Sequence, residues 1–194
     1  MTLDKNFNVP EGIYGDDVEA VLVSQEDLHR RVSEMAQKVS DHYRDLGEEL
    51  ILVCVLKGAI YFLADFSRYV DIPVQLEFMA VSSYGSGATS SGVVRILKDL
   101  DRQIEGKHVL IVEDILDSGL TLSWVVRNLK ARKPASLQVI TLLRKPDAVR
   151  NEIELFDVGY DIPDEFVIGY GLDYAERYRD LPFVGTLNPR VYRE

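Results

Sequence analysis

The sequence contains a single cysteine, so no disulfide can form within the chain. That residue, Cys54, lies inside the apolar run Leu50–Leu56, where a thiol packs as a small apolar side chain. A catalytic thiol needs cationic neighbours and access to solvent, and an apolar run favours neither. We therefore interpret Cys54 as a buried and chemically inert core residue.

Basic charge is also scarce, because 22 lysines and arginines stand against 32 aspartates and glutamates and leave a net charge of −10. Proteins that grip nucleic acid place clustered lysines and arginines on its phosphates. The charge balance therefore predicts that nucleic acid is not a partner. It does not exclude an anionic substrate, since a bound Mg²⁺ neutralises phosphate charge locally.

Long apolar runs are missing as well. No stretch of about 18 apolar residues occurs, and residues 1–10 lack the apolar centre of a signal peptide. We therefore expect no membrane partner and a cytoplasmic location. The remaining composition, with 46% hydrophobic and 28% charged residues in a chain of 194, is typical of one globular domain, here 1–194.

The sequence does contain a regular alternation of strands and helices. Apolar runs and helical periodicity predict strands at 50–56, 74–81, 93–97, 107–113, 137–143 and 166–170, and helices at 26–46, 59–70 and 121–132. This alternation predicts an α/β fold whose mostly parallel sheet is flanked by helices on both faces. Ligands bind such sheets at the carboxyl ends of the strands, so we expect functional residues just after Leu56, Glu113, Leu143 and Tyr170.

The segment SSYGSGATSSG at 82–92 departs from this alternation, because serine and glycine fill eight of its eleven positions. Such a composition cannot pack a core. A linker between two domains is one interpretation. Since the segment lies between two predicted strands without a change of composition around it, we favour a flexible lid over an active site.

The segment VLIVEDILDSGLT at 109–121 carries the clearest chemistry. A predicted strand ends in Glu113 and Asp114, which should face solvent, a cation or a polyol because an unpaired buried charge is costly. The turn from Asp117 to Thr121 offers backbone N–H groups and hydroxyls at a helix N-terminus, which suits a phosphate. A sugar phosphate fits both halves, although an ordinary turn with Thr121 as a helix cap explains the same residues. The chain has neither a P-loop nor a dinucleotide-binding glycine motif, which disfavours NTPases and dinucleotide enzymes.

The stretch VLIVEDILDSGLTL resembles the motif with which type I phosphoribosyltransferases bind phosphoribosyl pyrophosphate (PRPP). Three further segments resemble the hypoxanthine-guanine branch of that family, namely LKGA at 56–59, SYG at 83–85 and IPDEFVIGYGLDYAERYRD at 162–180. The resemblance extends roughly from Ser24 to Gly185. It implies the type I phosphoribosyltransferase fold, in which N- and C-terminal segments form a small hood beside the sheet.

The resemblance also implies which residues bind the PRPP ribose and 5′-phosphate. Glu113 and Asp114 would bind the ribose hydroxyls near a Mg²⁺. The 5′-phosphate would lie in the turn formed by Asp117, Ser118, Gly119, Leu120 and Thr121. Asp117 would also be the catalytic base that accepts the proton leaving N7 of the purine, a role that requires a carboxylate within hydrogen-bond reach.

The pyrophosphate of PRPP would be held by Lys57, Gly58 and Arg179, after a cis peptide between Leu56 and Lys57. Residue type alone leaves two alternatives open, since Lys57 also fits a solvated strand-end cation and Arg179 a surface ion pair with Glu176. The resemblance places Ser83 and Tyr84 in the lid.

The purine pocket would be formed by Lys145, Phe166, Val167 and Asp173. Lys145 can donate to an oxygen at position 6 of the purine but cannot accept from an amino group there, which selects hypoxanthine or guanine over adenine. Phe166 would stack on the base, although a core position explains it equally well. Main-chain groups around Val167 would read the edge near position 2, and Asp173 would bind a second Mg²⁺ through water.

The activity that the resemblance implies is transfer of the 5-phosphoribosyl group from PRPP to N9 of hypoxanthine or guanine. IMP or GMP and pyrophosphate would be the products, and the assembly a homodimer or homotetramer. Xanthine or orotate is an alternative acceptor base. Some proteins of this fold are instead RNA-binding regulators, but the net charge of −10 disfavours the basic face that RNA binding needs.

Overall fold

The computed structural model describes residues 14–47, 49–83 and 94–192. Its strands are β1 (Val18–Val23), β2 (Leu50–Leu56), β3 (Val74–Ser83), β4 (Val94–Lys98), β5 (His108–Leu116), β6 (Ser136–Arg144), β7 (Asp157–Asp161), β8 (Val167–Ile168) and β9 (Val184–Leu187). Its helices are α1 (Gln25–Tyr43), α2 (Ile60–Tyr69) and α3 (Leu120–Lys130), with short 3₁₀ turns at Gly15–Asp17, Arg44–Leu46 and Pro189–Val191.

The main sheet has six strands in the order β4-β3-β2-β5-β6-β7. All neighbouring pairs are parallel except β3 and β4, which are antiparallel at one edge. The prediction of a mostly parallel α/β sheet is therefore confirmed. Because β2 and β5 lie at its centre, their carboxyl ends meet side by side, which is where such sheets bind ligands.

Helices cover both faces of this sheet, and β2 shows why. Successive side chains of a strand point to opposite faces. Leu50, Leu52 and Cys54 pack in one core cluster with α1 and α2, whereas Ile51 and Val53 pack in another with α3. An apolar run without alternation is the pattern expected of a strand buried on both sides.

A second, three-stranded antiparallel sheet in the order β1-β9-β8 forms the hood. One strand comes from the N-terminal part of the chain and two from the C-terminal part, as the resemblance implies. Val23, Val167 and Val184 of the hood belong to the same core cluster as α1 and β2. The hood is therefore packed onto the main sheet through shared apolar side chains.

The sequence-based prediction of a strand at 166–170 was wrong in extent and in place. Only Val167–Ile168 form a strand, and that strand pairs with β9 in the hood instead of the main sheet. The reason is backbone geometry, since Gly169 has φ of 93° and Tyr170 has φ of 49°, values that no extended strand adopts.

One further strand prediction needs correction, and three strands were not predicted. The strand predicted at 107–113 continues to Leu116, so Glu113 and Asp114 lie within β5 and do not follow it. No prediction was made for β1, β7 or β9.

Of the expected lid at 82–92, Ser82 and Ser83 end β3, whereas Tyr84 and residues 85–92 lie outside the described residues. Within the described part of the chain, no helix is long and apolar enough to cross a membrane.

Candidate active site

The first part of the site lies where β2 and β5 end. The Leu56–Lys57 peptide is cis, as predicted, and Gly58 follows it. A Cβ atom at Gly58 would overlap with the Asp114 carboxylate of β5, so glycine lets this carboxylate lie directly against the backbone. The backbone after β2 is therefore packed directly onto an acidic residue of β5.

Glu113 and Asp114 are partly buried near the carboxyl end of β5, and their contact with solvent, a cation or a polyol stays a prediction. Burial raises the pKa of the Glu113 carboxyl well above its usual range, and the neighbouring Asp114 raises it further. Burial also raises the pKa of Asp114, although the N–H of Ile115, which donates to its Oδ1 at 2.8 Å, acts in the opposite direction. Glu113 Oε2 is buried without a hydrogen-bond partner among the described residues. Such an atom is costly unless a ligand or a cation completes it.

The loop after β8 lies against Gly58. A Cβ atom at Gly171 would overlap with the carbonyl oxygen of Gly58, so the two backbones touch. Four residues of this loop other than glycine have positive φ angles, namely Tyr170, Ala175, Glu176 and Tyr178. Positive φ is rare for residues with a side chain, and clusters of it occur at functional sites.

This loop brings three charged residues together, namely Asp173, Glu176 and Arg179. Arg179 lies 2.8 Å from Asp173 Oδ1 and 3.4 Å from Glu176 Oε1, and it donates to the Gly171 carbonyl at 2.7 Å. Its Nε is buried and has no partner among the described residues. Lys57 Nζ lies 2.9 Å from Glu176 Oε2. The three predicted pyrophosphate residues are therefore brought to one place, and Glu176 connects two of them.

The predicted phosphate turn precedes α3. Gly119, with φ of 77°, is the N-cap residue, and no side chain caps the helix. The alternative interpretation, in which Thr121 caps the helix, is therefore excluded, because Thr121 lies within the first turn. No acidic residue occupies that first turn, and the N–H groups of a helix N-terminus attract anions. The geometry suits a phosphate better than an ordinary capped turn.

The second part of the site surrounds Lys145, which follows β6. The side chain is only 9% exposed, and its Nζ lies 3.3 Å from Asp117 Oδ2 and 3.3 Å from Asp164 Oδ1. Burial of an ammonium is costly unless it is paired, and two carboxylates pair it here. The structure thus brings the predicted base-reading lysine beside the predicted catalytic aspartate.

Phe166 is 40% exposed, which excludes the alternative that it is an ordinary core residue. Its ring stacks on Tyr192 with 5.4 Å between ring centroids and meets Tyr174 edge to face at 5.6 Å. Val167 is buried and pairs with Thr186 in the hood sheet. An exposed aromatic ring held by two neighbours is a suitable surface for a flat heterocycle.

Glu113 and Asp114, near the end of β5, meet some but not all of the requirements of a magnesium site. Carboxylate oxygens are the ligands that Mg²⁺ prefers, and it usually takes one or two of them together with water and substrate phosphates. Glu113 offers a buried oxygen without a partner. Among the described residues no three histidines, cysteines, aspartates or glutamates form a cluster that could hold a metal ion. Mg²⁺ therefore fits here only as an ion that a substrate helps to hold.

Sequence reasoning missed two site residues. Asp164 lies within the segment 162–180 that carries the family resemblance, yet its contact with Lys145 depends on the path of two loops. Glu176 was considered only as a surface partner of Arg179, although it also binds Lys57. No pattern along the chain indicates either contact, because both join residues that are far apart in sequence.

Comparison with known proteins agrees with this architecture. The phosphoribosyl transferase domain family matches residues 23–175. The hypoxanthine-guanine phosphoribosyltransferase of Mycobacterium avium is 56% identical over 189 residues, which are 95% of this chain and 93% of that protein.

Two solved structures are similar throughout. The hypoxanthine phosphoribosyltransferase of Staphylococcus aureus has a TM-score of 0.88 and 45% identity, over 92% of this chain and 96% of that one. That of Trypanosoma cruzi, in complex with the product IMP, has a TM-score of 0.86 and 42% identity, over 93% of this chain and 100% of that one. The fold and the match over most of the length show that this chain belongs to the phosphoribosyltransferase family. Its relatives place it in the hypoxanthine-guanine branch of that family.

Proposed function

We propose that this protein transfers the 5-phosphoribosyl group of PRPP to N9 of hypoxanthine or guanine and releases IMP or GMP and pyrophosphate, a reaction of purine salvage. The observation that carries the proposal is the pairing of the buried Lys145 with Asp117 at 3.3 Å. A donor for the purine oxygen and an acceptor for its N7 proton thus lie side by side. Relatives named for this activity are 47–57% identical to the chain.

PRPP would lie across the carboxyl ends of β2 and β5. The uncapped N-terminus of α3 binds the 5′-phosphate, with Ser118 and Thr121 as hydroxyl donors, because a helix N-terminus offers N–H groups and partial positive charge. Lys57, the backbone at Gly58 and Arg179 bind the pyrophosphate. Since Glu176 pairs with both cations, the arriving pyrophosphate competes with this carboxylate for them.

The purine would lie between Phe166 and Lys145. In the reaction the lone pair of N9 forms the bond to C1′ of the ribose, and the bond from C1′ to pyrophosphate breaks with its electron pair. The proton on N7 moves to the Asp117 carboxylate, so that the purine of the product is neutral. A base positioned in this way contributes about 10²–10⁴-fold to the rate.

Mg²⁺ bound by PRPP would contact the ribose-binding carboxylates Glu113 and Asp114. When bound, it would neutralise the charge of the pyrophosphate that leaves. We propose that Asp173 meets a second Mg²⁺ only through water, because its two oxygens already accept from Arg179 and from the N–H of Glu176.

The shared core of hood and main sheet supports the proposal that 1–194 is one domain. Assembly as a homodimer or homotetramer and a cytoplasmic location stay predictions.

A panel of bases, each assayed with PRPP and Mg²⁺, tests the proposal. We expect turnover of hypoxanthine and guanine and at least about 10³-fold lower kcat/KM with adenine, whose amino group would leave Lys145 without an acceptor. Xanthine and orotate belong in the same panel as rival acceptors. Efficient turnover of adenine, or none of any base, would contradict the proposal.

The variant Lys145→Ala tests the base pocket separately. We expect it to lose most activity with hypoxanthine and guanine, because the oxygen at position 6 loses its charged donor. Its affinity for PRPP should change little, since Lys145 is not among the PRPP-binding residues. Equal activity of the variant and the unmodified protein would show that another residue reads the base.

A further inference from the structure

Asp164 is held beside Lys145 by the backbone. The N–H of Ile162 donates to the carbonyl of Arg144 at 2.8 Å, and Ile162 is buried in the main core cluster. This bond ties the segment before β8 to the end of β6. It sets the Asp164 carboxylate next to the ammonium group that follows Arg144.

The backbone of Lys145 itself is fixed in the same way. Its own N–H donates to the carbonyl of Leu116, the last residue of β5, at 2.9 Å. Asp117 follows directly. Lys145 therefore lies between two backbone attachments, each of which presents one carboxylate at 3.3 Å from Nζ.

The number of donors on Lys145 suits this arrangement. A lysine ammonium has three N–H donors and no acceptor. One of them is donated to Asp117 Oδ2 at 3.3 Å, and Asp164 forms an ion pair with the same ammonium group at 3.3 Å. A donor therefore remains for an oxygen at position 6 of a purine.

The charge at this site changes during the proposed reaction. Before the transfer, two carboxylates surround one ammonium group. When Asp117 accepts the N7 proton it becomes neutral, and a largely buried ammonium with no other partner would then be costly. Asp164, the second carboxylate at 3.3 Å from Nζ, takes no part in this proton transfer and keeps its negative charge.

We propose that Asp164 is a positioning residue of the transfer reaction, which holds Lys145 toward the purine oxygen and balances its charge once Asp117 is protonated. The proposal rests on the roles given above to Lys145 and Asp117. An ion pair at the surface contributes little to stability, and the Asp164 side chain is 59% exposed. Its effect should therefore appear in the kinetics with the purine and not in the stability of the fold.

The experiment compares Asp164→Asn, which keeps the shape but removes the charge, with the unmodified protein. We expect KM for hypoxanthine to rise about tenfold, because a charge-assisted contact that orients Lys145 is lost. KM for PRPP should stay within about twofold. The rate of a single turnover with both substrates saturating should fall about tenfold, since this measurement isolates the chemical step from product release.

Two further variants complete the test. Asp164→Glu restores the charge and should recover most of both losses. Glu34→Gln is the matched control, because it breaks an ion pair with Arg31 at 3.4 Å whose acid is 54% exposed, on α1 and outside the site. It should leave KM and the single-turnover rate unchanged.

The outcomes separate this proposal from the one on which it rests. If Asp164→Asn behaves like the unmodified protein while Lys145→Ala loses activity, Asp164 has no such role and the proposed function stands. An equal rise of KM for PRPP and for hypoxanthine, or a loss that Asp164→Glu does not restore, would overturn the positioning role as well. If Lys145→Ala keeps its activity, the base pocket itself is wrong.

Discussion

At the scale of single residues, Asp117 is the most informative position. Its Oδ2 contacts Lys145 and it directly follows the last residue of β5. We predict that Asp117→Asn lowers kcat by about 10²-fold or more with little change in KM for PRPP, because the amide cannot accept the N7 proton. Steady-state kinetics with PRPP and hypoxanthine measure both constants, and a kcat near that of the unmodified protein would exclude Asp117 as the base.

Gly58 gives a second prediction at this scale. A methyl group there would overlap with the Asp114 carboxylate and displace this predicted ribose-binding group. We expect Gly58→Ala to raise the Kd of PRPP about tenfold or more, since overpacking of about 1–3 kcal/mol falls directly on the PRPP site. Gly58→Val should lose PRPP binding almost completely.

The control for Gly58 is Gly106→Ala. Gly106 has φ of 71° and open space around it, so an added methyl group strains the backbone by about 1–2 kcal/mol without touching the site. This control should lower Tm but leave the Kd of PRPP unchanged in calorimetric titration. Weak PRPP binding in both variants would mean that reduced stability, and not the contact with Asp114, explains the loss.

At the scale of elements, the sequence predicted correctly those strands and turns that depend on residues close together in the chain. The bounds of β2 were correct, because its apolar run is short and rich in β-branched residues, which favours a buried strand over a buried helix. The turn of Asp117, Ser118 and Gly119 was also placed correctly before α3, although the helix begins at Leu120 and not at Thr121. The loop after β8 was not predicted, since left-handed residues such as Tyr170 and Glu176 carry no mark in sequence and are fixed by tertiary contacts. The contacts of Asp164 and Glu176 escaped prediction for the same reason.

Tyr170 connects this loop to α2, and it gives the prediction at the element scale. Its hydroxyl donates to Asp65 Oδ2 at 2.6 Å, and Gly171 beside it touches the Gly58 carbonyl. We predict that Tyr170→Phe raises KM for PRPP about three- to tenfold, because loss of a hydrogen bond worth about 1 kcal/mol or somewhat more lets the loop shift away from Gly58.

Tyr160→Phe is the matched control for Tyr170→Phe. Its hydroxyl donates to the Asp27 carbonyl at 2.8 Å, at the start of α1 and outside the loop. Both variants should lose a similar amount of stability in thermal unfolding, whereas only Tyr170→Phe should change KM for PRPP. An equal effect of the two on KM would show that the Tyr170–Asp65 bond has no special connection with the site.

At the scale of the whole molecule, two sheets share one apolar core, and Cys54 lies inside it. The thiol is fully buried on β2 between β3 and β5. Burial, reinforced by the charges of Glu113 and Asp114, raises the pKa of this thiol from 9.0 to about 12. The thiolate is the reactive form, so in the folded protein Cys54 is both inaccessible and protonated at pH 8.

Cys54 should therefore report global unfolding. We predict that a thiol reagent at pH 8 labels almost none of the native protein and one thiol per chain in concentrated guanidinium chloride. In a denaturant titration, the labelled fraction after a short pulse should follow the loss of far-UV circular dichroism, because hood and main sheet share the core that covers the thiol and should unfold together. Labelling that precedes the change in circular dichroism would show that the sheet around β2 opens on its own and that the chain does not unfold as one unit.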